Sequence, residues 1–132
     1  MLRKTIVISA LSIIITLTLA RAEVIHAPEG QILPQDVRST INWTISRYAF
    51  VYGVDEQIIH QVVFCESSYN PNAQNITNKE TSFGLSQINL KAHPTITKEQ
   101  ATDIDFAIRF MAKNISEGKG SMWTCYNKVK GV

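Results

Sequence analysis

The feature that most constrains this chain is a single glutamate inside the stretch 58–89. Ile59, Val62, Val63 and Glu66 fall at i, i+3, i+4 and i+7, so an apolar helical stripe ends on a carboxylate. An ordinary surface glutamate belongs on the opposite, wet face. At the end of an apolar stripe the carboxyl is partly removed from water, which disfavours its charged form and raises its pKa. A general acid working near neutral pH needs that environment.

Two compact motifs follow the glutamate. Ser67-Ser68-Tyr69-Asn70-Pro71-Asn72-Ala73 reads as a helix stop and turn, rich in hydrogen-bonding groups. Ser82-Phe83-Gly84-Leu85-Ser86-Gln87-Ile88-Asn89 contains a glycine that permits close backbone approach and a glutamine that offers an amide. In this order and at this spacing the two motifs resemble the soluble lytic transglycosylase domain of the lysozyme-like superfamily. The resemblance reaches Tyr126-Asn127 and covers nearly all of the chain after residue 40.

The chain has 132 residues, enough for one domain, and its first 22 read as a secretory signal peptide. Arg3-Lys4 precede an apolar run from Ile6 to Leu19, and Ala20-Arg21-Ala22 forms an A-x-A cleavage site. That run has fourteen residues, fewer than the roughly 20 that span a bilayer comfortably. An uncleaved membrane anchor is the competing reading. Three of the thirteen basic residues and none of the eleven acids lie in this leader, so the remainder has ten bases against eleven acids. With no basic run interleaved with aromatics, nucleic-acid binding is set aside.

Two cysteines in an exported chain are expected to form one disulfide. Cys65 directly precedes Glu66, and Cys125 directly precedes Tyr126. Paired, they draw Tyr126-Asn127 towards the glutamate and close a loop of about 60 residues. The alternative, a reactive cysteine served by His60, is weaker because the two side chains point apart on the helix. No second ligand cluster or CxxC spacing supports a metal.

Residues 23–36 read as an extended lead-in and 37–132 as the domain, although Pro34 itself suits a helix start. Val37, Ile41, Ile45, Tyr48, Ala49 and Tyr52 recur at helical spacing, with Gly53 as C-terminal cap and Asp55 capping the next helix. The two helices form a hairpin; the Tyr-Gly-Val-Asp turn before the catalytic helix is also part of the family resemblance. Residues 67–96 read as loop with a short helix around 85–90, an irregular stretch long enough to be functional. Thr97 to Gln100 resembles a capping box. A helix then starts at Asp103 with Ile104, Ala107, Ile108, Met111, Ala112 and Ile115 on one face, ending at Gly118. Phe106 and Phe110 are assigned to the core. The Asn-x-Ser/Thr triplets at Asn42, Asn75 and Asn114 are read as chance.

The resemblance implies a mainly α, lysozyme-like single domain of an α+β superfamily, with little or no sheet and one disulfide. It implies no cofactor and no metal. Glu66 would protonate the oxygen between N-acetylmuramic acid and N-acetylglucosamine, then as carboxylate activate the muramic 6-hydroxyl, giving a 1,6-anhydro sugar. Most glycoside hydrolases need two carboxylates. Of Glu80, Asp103 and Asp105, Glu80 is the candidate for a second one.

Ser68 matches the family E-x-S, where it bonds Glu66 or substrate or simply caps the helix. Gln87 is the candidate for a sugar acetamide contact, Asn89 lines the cleft or caps, and by the resemblance Tyr126 would place its hydroxyl near Glu66, a surface tyrosine being the alternative. Trp123 either stacks on a sugar or is buried beside the disulfide, and His93 is a loop residue. Ser86 stands where the family commonly has Met, and Lys128 where a small residue is expected.

The leading expectation is a secreted peptidoglycan lytic transglycosylase of the periplasm or cell envelope, monomeric, acting on glycan strands. A secretion, conjugation or phage-entry assembly is its expected setting, and the signal peptide its only membrane contact. A lysozyme-type muramidase and a non-catalytic wall-binding assembly protein of the same fold are the alternatives.

Overall fold

The computed structural model describes residues 34–131; the leader expected over 1–22 and the lead-in from 23 to 33 lie outside the described residues. Helix α1 spans Pro34–Tyr52 and helix α2 Glu56–Ser67. Residues 34–36, placed in the lead-in by the sequence reading, are the first turn of α1, because proline's fixed φ and missing N–H suit a first helical position. Strands β1 (Gln74–Ile76), β2 (Thr81–Phe83) and β3 (Ile88–Asn89) follow. Then come α3 (Lys98–Thr102), α4 (Ile104–Ser116), a 3-10 turn at Gly120–Met122 and α5 (Thr124–Lys130). The fold is mainly helical and lysozyme-like, with one disulfide.

The helices begin and end on the expected chemistry. Asp55 accepts the Gln57 N–H at the start of α2, and Asp103 accepts the Phe106 N–H at the start of α4. Thr97 and Gln100 form a reciprocal capping box on α3. Gly53, with φ +63°, turns the chain between α1 and α2. The apolar faces then close on one another. Ile41 and Ile45 of α1, Ile59, Val62 and Val63 of α2, and Ala107, Ile108 and Met111 of α4 are buried together with Leu85.

Between α2 and α3 the structure departs from the sequence reading. Residues 67–96 hold a three-stranded antiparallel sheet in the order β1-β2-β3, and no helix forms around 85–90. Residues 84–87 are the tight connection from β2 to β3, closed by the Gln87 N–H donating to the Gly84 carbonyl at 3.2 Å. Gly84 and Gln87 have φ of +77° and +44° there, which no right-handed helix allows. The sheet is small because its strands are two or three residues long. A second, smaller apolar cluster of Phe83, Ile88 and Ala101 lies beneath it.

Gly84 is required by space as well as by φ. A Cβ on it would lie 1.8 Å from the Ala101 carbonyl oxygen, so the sheet connection packs backbone to backbone on the end of α3. Ser86, fully buried, ties the same connection to two other elements. Its hydroxyl donates to the Ala107 carbonyl at 2.7 Å, and its own carbonyl accepts the Trp123 indole N–H at 2.7 Å. A methionine at this position could make neither the hydroxyl bond nor so compact a junction.

Candidate active site

Glu66 is the penultimate residue of α2, and the helix delivers it where its apolar stripe runs out. The carboxyl is half-buried at the wall of a cavity of about 370 Å³. Glu80, Gln87 and Asn89 from the sheet region line it together with Phe110 of α4 and Trp123 ahead of α5. The Cys65–Cys125 disulfide, with Cα atoms 5.9 Å apart, fastens α5 to α2 one residue before the glutamate. The Cys125 main-chain N–H then donates to Glu66 Oε1 at 3.2 Å.

Four influences act on that carboxyl. Burial is the largest and pushes its pKa above the ordinary glutamate range. The Cys125 N–H, which stabilises the carboxylate, pulls it back. The negative charge of Glu80 pushes it up again, and the Lys128 ammonium lowers it. Burial wins, so Glu66 holds a proton to higher pH than a surface glutamate.

Glu80 faces the same cavity but in a different state of engagement. One of its oxygens accepts the Ser82 hydroxyl at 2.6 Å and the other the Asn75 amide at 3.0 Å. Asp103 and Asp105 lie elsewhere: the first caps α4, and the second accepts the Tyr48 hydroxyl at 2.8 Å and pairs with Arg47. Among the described residues no three His, Cys, Asp or Glu side chains gather to hold a metal ion.

The remaining residues singled out by sequence separate into two groups. Gln87 and Asn89 line the cavity. The Gln87 amide donates to the Gly84 carbonyl at 3.0 Å, and Asn89 Oδ1 accepts the main-chain N–H groups of Thr81 and Lys91. Ser68 lies outside the cavity: it is the exposed, left-handed C-cap of α2, with φ 51°. Tyr126 also lies outside the lining, and its ring covers Gly120 closely enough that a Cβ there would come within 2.5 Å. Cys125 thus meets Glu66 through its main-chain N–H, and the Tyr126 ring packs on Gly120.

Trp123 is buried, 5 % exposed, and is among the residues lining the cavity. Phe110, His93 and Met122 line the cavity without having been singled out as cleft residues. Phe110 stands edge-on to both His93 and Trp123, with ring centroids 5.2 and 6.1 Å away. Its helical spacing announces burial, which is half true. Met122 is 44 % exposed beside the acid, and nothing in its local sequence marks it.

Comparison with curated proteins and with solved structures found no match for the chain. A family model, the transglycosylase SLT domain, matches residues 44–131, a span that includes Glu66, both cysteines and every residue lining the cavity. The chain belongs to the transglycosylase SLT domain family, whose activity is of the lytic-transglycosylase type on peptidoglycan.

Proposed function

We propose that this protein is a lytic transglycosylase that cleaves the bond between N-acetylmuramic acid and N-acetylglucosamine with Glu66 as its lone acid and base. The observation that carries the reading is the half-buried Glu66 carboxyl, held by one main-chain N–H and shifted towards its protonated form. Protonated, it donates its proton to the glycosidic oxygen as the bond to muramic C1 breaks. The resulting carboxylate accepts the proton of the muramic 6-hydroxyl while that oxygen bonds to C1. A 1,6-anhydro ring forms, no water is consumed, and Glu66 ends as it began.

The signal-peptide reading of residues 1–22 and a disulfide that persists only in oxidising surroundings support export to the periplasm or cell envelope.

A second reading has one specific observation in its favour: Glu80 shares the cavity. As base for a water it would make the protein a muramidase. Against this, both Glu80 oxygens are already engaged, by Ser82 and Asn75.

Mass spectrometry of sugars released from purified peptidoglycan separates the two. Anhydro-muramic ends, one water lighter than hydrolysed ones, are the expected product, and Glu80→Gln should retain most of the turnover. Reducing muramic ends, lost in Glu80→Gln, would replace the transglycosylase reading with the hydrolase.

A further inference from the structure

We propose that a second cavity, sharing Phe110 with the catalytic one, binds the acidic peptide stem of peptidoglycan through Arg109 and Lys113, an inference that rests on the substrate reading above. This cavity holds about 280 Å³ and is lined by Tyr52 of α1 with Phe106, Arg109, Phe110 and Lys113 of α4. The four α4 residues fall at i, i+3, i+4 and i+7 and so share one helical face. Phe110 lines both cavities and makes them neighbours.

Their charges are opposite. Among the described residues, the catalytic cavity is lined by Glu66 and Glu80 and by no lysine or arginine. The second is lined by Arg109 and Lys113 and, among the same residues, by no carboxylate. A peptidoglycan strand has the same division: its sugars are neutral, and the peptide on the muramic lactyl group carries free carboxylates. Those carboxylates would be repelled beside the Glu80 carboxylate and attracted beside Arg109 and Lys113.

Both cations are available. Arg109 lies 5.6 Å from the Phe106 ring and has no carboxylate partner among the described residues. Its planar fork suits bidentate capture of a carboxylate. Lys113 stands 3.7 Å from Glu117, with the two side chains 59 % and 39 % exposed, a pair weak enough to exchange for a ligand. Asp105, one turn before Arg109, is occupied by Tyr48 and Arg47. Arg109 and Lys113 are one helical turn apart, about 5–6 Å between Cβ atoms, which spaces them for two carboxylates on one peptide. The rings of Tyr52 and Phe106 give its aliphatic parts an apolar wall.

The test compares the double variant Arg109→Ala/Lys113→Ala with the wild type on two substrates: stem-bearing strands, and the same strands after an amidase has removed the stems. The expected result is a loss of about tenfold or more in kcat/KM, chiefly through KM, on stem-bearing strands. On bare strands the two proteins should agree within about twofold. Equal losses on both substrates, or none on either, would overturn the proposal.

A titration of the isotope-labelled protein with the peptide L-alanyl-γ-D-glutamyl-diaminopimelate reads the cavity without catalysis. Chemical-shift changes should centre on Arg109 and Lys113 and vanish in the double variant; changes elsewhere overturn the assignment. A wild type that cleaves neither strand would defeat the transglycosylase reading, and the titration would still decide the second cavity.

Discussion

Glu66 is set by opposition: burial drives its carboxyl towards the neutral acid, while the Cys125 N–H keeps the carboxylate accessible. The position was legible because a carboxylate ending an apolar stripe contradicts its own solvation. The donor was not legible, since every residue but proline carries a main-chain N–H and no residue type announces it. Glu66→Gln preserves shape and acceptor and removes the proton, so turnover should fall about 10²–10⁴-fold. The same variant should gain stability at alkaline pH. The folded pKa of Glu66 lies above its unfolded value, so the native state favours the protonated form. The fold is then unpenalised below the unfolded pKa and loses stability as pH rises through the folded pKa. The amide of the Glu66→Gln variant does not titrate. Its Tm should exceed that of the wild type above the folded pKa, with the gap closing in acid. Thermal melts across pH check this; a variant less stable than the wild type at alkaline pH would mean that Glu66 makes a net stabilising contact as an anion.

At the scale of elements, the helices were readable and the sheet was not. α1, α2 and α4 each repeat their apolar residues over several turns, and α2 and α4 start on caps that bond as their residue types suggest. β1 offers three residues, all exposed, and β3 only two. Strands so short carry no alternation to detect. Gly84 was legible as a site of close approach, though its neighbour proves to be the α3 backbone. Gly84→Ala should cost about 2–4 kcal/mol, because the new Cβ meets an immovable carbonyl in a φ region that alanine disfavours. Urea unfolding measures it. A loss below about 0.5 kcal/mol would show that the connection relaxes freely and does not hold Gln87 and the sheet in register.

Across residues 34–131 the disulfide has two consequences that a melting curve and an assay can separate. Cys65 and Cys125 are 60 positions apart, so their bond removes much of the unfolded chain's freedom, about 4 kcal/mol by loop-closure entropy. They are also the residues adjoining Glu66 on one side and supplying its hydrogen-bond donor on the other. The bond that stabilises the fold therefore also fixes the separation between acid and donor. Without it, α5 is held to α2 by apolar packing and by that one hydrogen bond, and packing tolerates small slides that a 3.2 Å hydrogen bond does not. Replacing both cysteines with serine should lower stability by about 4 kcal/mol. Turnover should drop as well, at temperatures where circular dichroism shows the protein still folded. If the folded double variant keeps full turnover, packing and the main-chain hydrogen bond to Glu66 position α5 between them, and the disulfide serves stability only.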